Sequence, residues 1–586
     1  MWSLFIYAII VFVKVQDLGD FNMTPFAKRE YEIWINSLQA GELRSLLEKA
    51  SENELEDAFY RELEFGTAGL RGILGAGTNR MNLPVVARAT QGLSDCIIQD
   101  NAQQRGVCIG YDSRNMSAEF AQCAADVLSS RGIKVFIFNS LRSVPQLSFT
   151  LRNLGCVAGI MITASHNPAA YNGYKVYWED GGQIGPELAA RIMKCIEAHP
   201  YFGESAMRRN EIITTLTEAD DEPYYEATSS LLTYKDLIRS NGSEFSIVYT
   251  PLHGAGYIPV TTLLCRAGIT NLHVVKEQIV PDGNFPTVKV PNPEDPGAYR
   301  LAIELAKKTD SDCILATDPD SDRLGVAVRK PDGEFMLLTG NQIGAILIKH
   351  ILNTRESMGT LPNDGIVVKS IVSTWLADAI CAKYGVECVS VPTGFRFISQ
   401  IIEQCSQANG NEFLFGFEES CGFLSGGFAR DKDAVLASLL ICEVCVCCLD
   451  KGITLYDYLQ DIYKEYGYYM ERTVAYSFEG KEGMEKIASI MKGFLENPPH
   501  SIAERRVTSV EDYTTLRGKN DCGEFDIAFE KMNMLRLICE ENMWVCVRPS
   551  GTEPKIKFYV GVRGDSMDAA EALAEAAHSE LKERTL

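Results

Sequence analysis

The run Val107-Cys108-Ile109-Gly110-Tyr111-Asp112 is apolar almost to its last residue, the mark of a buried strand that ends at a surface. A helical segment follows to Ser130, then a glycine and a second apolar run, Gly132–Phe138. Strand, helix, glycine and strand at this length form a βαβ unit, which requires parallel pairing and a right-handed crossover. The same order recurs twice. Phe245–Thr250 precedes a helix through Thr261–Gly268 and a strand at Asn271–Val275. Gly365–Ser370 precedes a helix through Trp375–Gly385 and a strand at Val386–Val391.

Each unit continues into another helix and a third apolar strand that runs directly into polar residues, at Cys156–Pro168, Asp312–Arg323 and Asn411–Ser420. In α/β sheets the carboxyl end of the strands is where ligands bind. The chain therefore reads as three similar α/β domains, each with a polar loop at an equivalent strand end. After about Tyr466 the pattern changes to a smaller α+β domain, with Val474–Gly480, a helical stretch around Gly483–Leu495, strands within 543–562 and a closing helix at Asp568–Glu583. The expected division is an apolar extension at 1–22, α/β domains at 23–220, 221–335 and 336–465, and a C-terminal domain at 466–586.

Composition agrees with a folded enzyme of several domains. The 586 residues are 46% hydrophobic and 23% charged, with 47 glycines, which excludes disorder, collagen-like repeats and a polytopic membrane protein. A formal charge of −22 argues against nucleic acid as partner, because phosphate neutralisation needs a basic surface. A local basic cleft for a small phosphorylated ligand is compatible with it. The densest of the 18 cysteines, Cys442, Cys445, Cys447 and Cys448, fall in one apolar, helix-length run and read as buried thiols. A metal site, the competing reading, lacks a second Cys pair or a His at zinc spacing. So many free thiols suit a reducing compartment, here the cytoplasm. The opening run MWSLFIYAIIVFV is too short to span a bilayer and has no basic region before it or small-residue cleavage site after it. It is expected to be an extension, with Met23 an alternative start; a signal or anchor is the other reading.

Four loops carry chemistry. Thr163-Ala164-Ser165-His166-Asn167-Pro168 presents a serine at the mouth of a strand, expected to be exposed and fixed by the proline turn. Without a G-x-S-x-G elbow it is no hydrolase nucleophile, and a plain surface turn competes. Asp318-Pro319-Asp320-Ser321-Asp322-Arg323 spaces three carboxylates at i, i+2 and i+4, an oxygen-only set that suits Mg²⁺. A solvated acidic turn is the alternative. Gly416-Phe417-Glu418-Glu419-Ser420 suits sugar hydroxyls, or begins a helix. Arg548-Pro549-Ser550-Gly551-Thr552-Glu553-Pro554-Lys555 reads as an anion nest, or as a basic turn.

In this order, across about 400 residues, these four stretches resemble the α-D-phosphohexomutase superfamily. Glu64–Gly72 (EFGTAGLRG) and Asn172-Gly173-Tyr174-Lys175 match it as well, and the opening is most similar to the phosphoglucomutase/phosphopentomutase-like branch. The resemblance implies four domains around a central cleft and interconversion of sugar 1- and 6-phosphates, with a sugar 1,6-bisphosphate as activator. Mannose or pentose phosphates are the alternative substrates, and a catalytically silent sugar-phosphate sensor the alternative class. It implies a phosphoserine at Ser165, Mg²⁺ held by that group with Asp318, Asp320 and Asp322, and a reaction centre lined by His166, Arg71, Lys175 and Arg323. Sugar and phosphate contacts would come from Thr393, Gly394, Arg396, Glu418, Ser420, Arg430 and Lys432. Arg548, Ser550, Gly551, Thr552 and Lys555 would grip the phosphate that stays. Where the family usually has lysine after Thr-Gly-aromatic, this chain has Arg396, which is always protonated and can orient phosphate without acting as a base. His166 and Lys175 remain the titratable candidates.

Overall fold

The computed structural model describes residues 23–585 apart from 67–68, 204–207, 408–409, 479 and 550–554. The apolar extension at 1–22 thus lies outside the described residues.

The three α/β domains are built on one four-stranded unit. In the first, Val107–Tyr111 lies between Val135–Phe138 and Ala158–Ile162, parallel to both, and Tyr171–Trp178 returns antiparallel to Ala158–Ile162. In the second, Ile247–Thr250 lies between Leu272–Val274 and Cys313–Thr317, and Leu324–Arg329 returns. In the third, Gly365–Ser370 lies between Glu387–Val391 and Glu412–Glu418, and Gly422–Ser425 returns. The parallel strands fall where their apolar runs place them. The antiparallel return strands are a feature that the sequence patterning did not reveal. All three polar loops are the hairpin connections between the third strand and the return strand, so they occupy one topological position.

The first domain adds Leu70–Ile73 beside its return strand and Ile213–Leu216 on the opposite edge. Glycine is required at the entrance to Leu70–Ile73: Gly69 has φ 73°, and a Cβ there would stand 1.9 Å from the Tyr174 carbonyl oxygen. Three helices before Glu62, at Pro25–Ser37, Glu42–Lys49 and Glu52–Phe59, cap this domain. Trp34 is buried among Phe59, Tyr201 and Phe202.

The second and third domains share one continuous core. At its centre is the helix Ala434–Asp450, buried on nearly every side, with Cys442, Cys445 and Cys448 inside. All 18 cysteines are free. The C-terminal domain is an antiparallel sheet whose one face is covered by its own helices, Gly480–Glu496 and Met567–Thr585. Its other face, through Trp544, Cys546 and Tyr559, packs on Ile371 and Val372 of the third domain. No helix among the described residues is long and apolar enough to cross a membrane.

Candidate active site

The loop after Ala158–Ile162 holds Ser165 in the left-handed region, φ 52°. Ser165 Oγ donates to Asp318 Oδ2 of the second domain at 2.7 Å and lies 3.1 Å from His166 Nδ1. Ser165 was expected to be exposed; it is 3% exposed, because the aspartate loop closes over it. The Ser165 amide donates to Thr163 Oγ1 at 2.8 Å, and Thr163 Oγ1 donates to Asp112 Oδ2 at 2.6 Å. Beneath the loop lies the buried Arg114. Its guanidinium donates to the carbonyls of Ser165 and Asn167, and to those of Pro168 and Tyr171 at 3.0 Å each. Arg71 reaches the loop from the edge strand, donating to Asn167 Oδ1 at 3.1 Å.

The aspartate loop is fixed by backbone contacts from three sides. The carbonyls of Pro319, Asp320 and Ser321 accept from the amides of Ala255, Val144 and Ala434, which belong to the second, first and third domains. Asp318 Oδ1 accepts from the amides of Asp322 and Arg323 at 3.1 and 3.0 Å. One oxygen from each of Asp318, Asp320 and Asp322 lies within 4.8 Å of the others. Asp320 Oδ1 and Asp322 Oδ1 are buried without a hydrogen-bond partner. Buried, unpartnered carboxylate oxygens are the donors a hard divalent cation takes, so this set fits Mg²⁺.

The surrounding charges split the aspartates. Burial, then the charges of Asp320 and Asp322, push Asp318 well above the usual carboxylate range. Burial would raise Asp322 as well, but Lys432, Lys175 and Arg323 together hold it below that range. Lys175 Nζ stands 2.8 Å from Asp320 Oδ2, and Lys432 Nζ 3.2 Å from Asp322 Oδ2. Arg323 is oriented by Glu294 at 2.7 Å. Burial, with Arg323 and Arg71 nearby, depresses His166 well below its ordinary value, so its imidazole is neutral at pH 7.

The third domain closes the arrangement. Gly394, at φ 119°, donates its amide to Glu418 Oε1 at 2.7 Å, and Thr393 Oγ1 is buried with no partner. Burial raises Glu418. Ser420 is half-buried in the turn that follows. Lys432 is held by Asp431, whose other oxygen accepts from Tyr177 and Gln183 of the first domain at 2.9 and 2.8 Å.

Thus Ser165, His166, Arg71, Lys175, Arg323, the three aspartates and Lys432 form one cluster, with Thr393, Gly394, Glu418 and Ser420 beside it. Two expected members stand apart. Arg430 is buried with its guanidinium on Glu403 and Ser406, at 3.1 and 2.9 Å. Arg396 lines a cleft of about 590 Å³ between the first and third domains, with Arg152, Asp180 and Glu403. One of its terminal nitrogens is buried without a partner, and Glu530 of the C-terminal domain is the charge that faces it. Arg548 and Lys555 stand on the paired strands Met543–Pro549 and Lys555–Gly564; Ser550, Gly551 and Thr552 lie outside the described residues. Sequence reasoning missed Arg114, Asp112, Thr163, Glu294, Tyr177, Gln183 and Asp431. The one trace of Asp112 and Arg114 in the sequence is a pair of charges immediately after the first strand of the first unit, which a solvated turn would show as well.

The chain matches four family models in order. They are phosphoglucomutase/phosphomannomutase alpha/beta/alpha domain I over residues 62–201, domain II over 222–333, domain III over 339–466 and the C-terminal domain over 524–579. It is 36% identical over 544 residues to a phosphoglucomutase of Staphylococcus saprophyticus, covering 92% of this chain and 97% of that one. It is 36% identical over 552 residues to a phosphoglucomutase of Staphylococcus aureus, with the same coverage of each. Among solved structures, the open form of the phosphoglucomutase parafusin from Paramecium superposes with a TM-score of 0.66 at 16% identity, covering 89% of this chain and 95% of that one. That last likeness is one of fold.

Proposed function

Because this chain belongs to the phosphoglucomutase/phosphomannomutase family, we propose that it interconverts glucose 1-phosphate and glucose 6-phosphate through a phosphoryl group carried on Ser165. One observation carries the reading: a serine hydroxyl of one domain reaches a carboxylate of the next, inside a cage with two unpartnered carboxylate oxygens. Transfer to the free sugar hydroxyl breaks the bond between phosphorus and Ser165 Oγ and forms a sugar bisphosphate. Transfer back from the other position restores the phosphoserine and releases the isomer. A sugar 1,6-bisphosphate is accordingly the activator for chains that have lost the phosphate.

Asp318, Asp320 and Asp322, with the Ser165 group, would hold Mg²⁺, which when bound supplies positive charge against the phosphoryl oxygens. Lys175 and Arg323 add fixed positive charge at the same place, the main demand of phosphoryl transfer. His166 Nδ1 is the neutral nitrogen at hydrogen-bond distance of Ser165 Oγ and handles the proton there. Thr393, with its unpartnered hydroxyl, reads sugar hydroxyls together with Glu418 and Ser420. Arg548, Ser550, Gly551, Thr552 and Lys555 hold the phosphate that does not move, while Arg396 orients phosphate at the domain boundary. The free thiols suit work in the cytoplasm.

The test is Ser165→Ala assayed on glucose, mannose, ribose and deoxyribose phosphates with bisphosphate and Mg²⁺. Wild type turns over glucose phosphate best. The variant loses turnover by on the order of 10⁴-fold, while its stability falls by about 1–3 kcal/mol, because buried Asp318 Oδ2 loses its donor. An Ala variant with wild-type activity would sink the assignment, and a preference for mannose or pentose phosphates would move the substrate.

A further inference from the structure

We propose that Arg114 is the positioning residue that aims Ser165 for phosphoryl transfer, acting from beneath the loop through the backbone of 165–171. The proposal rests on the reading of Ser165 as the phosphoryl carrier. Arg114 cannot touch the sugar, since its side chain is 0% exposed. Each terminal nitrogen takes two loop carbonyls: one those of Pro168 and Tyr171, the other those of Ser165 and Asn167. Only a planar guanidinium offers donors in that fork; an ammonium carries three donors on one atom.

The loop needs such a support. Ser165 is a non-glycine residue at φ 52°, a conformation that persists only where its surroundings over-determine it. Both peptide groups of Ser165 trace back to one buried ion pair. Its carbonyl is held by Arg114 directly. Its amide is held by Thr163 Oγ1, which is held by Asp112, and Asp112 Oδ2 faces Arg114 Nε at 3.4 Å. Thr163 Oγ1 also lies 3.1 Å from Asp320 Oδ2, so the same support registers the serine against the aspartate cage. With its backbone held there, Ser165 places Oγ between Asp318 Oδ2 at 2.7 Å and His166 Nδ1 at 3.1 Å.

The full-length chain carrying Arg114→Lys or Thr163→Val decides this through kcat, KM for glucose 1-phosphate under saturating bisphosphate and Mg²⁺, and deuterium uptake by peptides covering 160–172 without substrate. Misplacement of a reacting atom costs roughly 100-fold in kcat, and this is the loss expected for Arg114→Lys, with KM within about threefold and faster uptake confined to 160–172. Thr163→Val should lose about tenfold in the same pattern. Folded variants with kcat within twofold of wild type overturn the proposal. If Arg114→Lys fails to fold, Thr163→Val decides alone: a lowered kcat at constant KM supports the role and an unchanged kcat removes it. Should wild type be inactive on every sugar phosphate, the mutase reading fails by itself. Deuterium uptake then decides the support role, and unchanged uptake in 160–172 removes it.

Discussion

The Ser165 loop of the first domain and the Asp318–Arg323 loop of the second occupy the same hairpin of the same four-stranded unit. Each contains a serine in the left-handed region, Ser165 at φ 52° and Ser321 at φ 53°. They are held by opposite means. A buried cation within the first domain grips the Ser165 loop from below. The aspartate loop is gripped through its carbonyls by amides from all three α/β domains, and its carboxylates are balanced by Lys175, Lys432 and Arg323 from its flanks. The shared unit fixes where a loop projects. The loop's own residues decide whether it presents a hydroxyl or a cage of anions, and the charge around it holds what is presented.

Altering the aspartate cage should cost the most. Asp320→Asn removes one negative ligand and the nearer of the two carboxylates that face Lys175, leaving it Asp322 at 3.6 Å. Turnover should fall by roughly 100-fold with a higher Mg²⁺ requirement, and excess Mg²⁺ should restore part of it. Titration of activity against free Mg²⁺ in both proteins checks this. Full activity of wild type after exhaustive dialysis against a strong chelator would contradict it.

A smaller effect is expected at the domain boundary. If Arg396 acts as a fixed fork for phosphate, Arg396→Lys should raise KM several-fold with little change in kcat and no new ionisation in the pH–rate profile. A gain in turnover with a new basic limb would show that position 396 serves as an acid or base.

The smallest effect sharpens what charge does to a buried carboxylate. Asp322 and Asp433 are both buried, yet cations hold Asp322 down while Asp433 is pushed up to about 7. Burial is the cause, and the hydrogen bonds from Tyr224 and the Leu436 amide offset it only in part. A raised folded-state value means that stability from this group is present at low pH and lost as pH rises through about 7. Asp433→Asn keeps the helix cap and removes the titration. The Tm of the variant relative to wild type should therefore climb between about pH 4, where the unfolded carboxyl titrates, and about pH 7, and level off above. A constant difference across that range would contradict the assignment.

The sequence carried the parallel strands because residues such as Val107–Ile109 and Ile366–Val368 are buried on both faces and must be apolar. The return strand Tyr171–Trp178 mixes lysine, asparagine and tyrosine, and two of these side chains turn toward neighbouring domains: Lys175 to Asp320, Tyr177 to Asp431. That mixture hid this strand. Ser165, Asp318, Asp320, Asp322 and Glu418 were legible because each follows an apolar strand. Arg114 was not, since an arginine in a turn looks solvated until the loop that covers it is placed. For the same reason Ser165 looked exposed: what buries it lies 153 residues away in the next domain. For Arg430, which the family resemblance placed among the substrate contacts, the pairing of its guanidinium with Glu403 and Ser406 is likewise beyond what sequence shows.

The central claim is that Ser165 carries the phosphoryl group between the two sugar positions. Intact and peptide mass measurement of active protein tests it most directly, before and after incubation with unlabelled glucose 6-phosphate. The expected result is one phosphate per chain, located on Ser165, transferred to the sugar and regained from glucose 1,6-bisphosphate at the rate of turnover. Active protein that never carries phosphate on Ser165, or carries it without exchange during turnover, would contradict it.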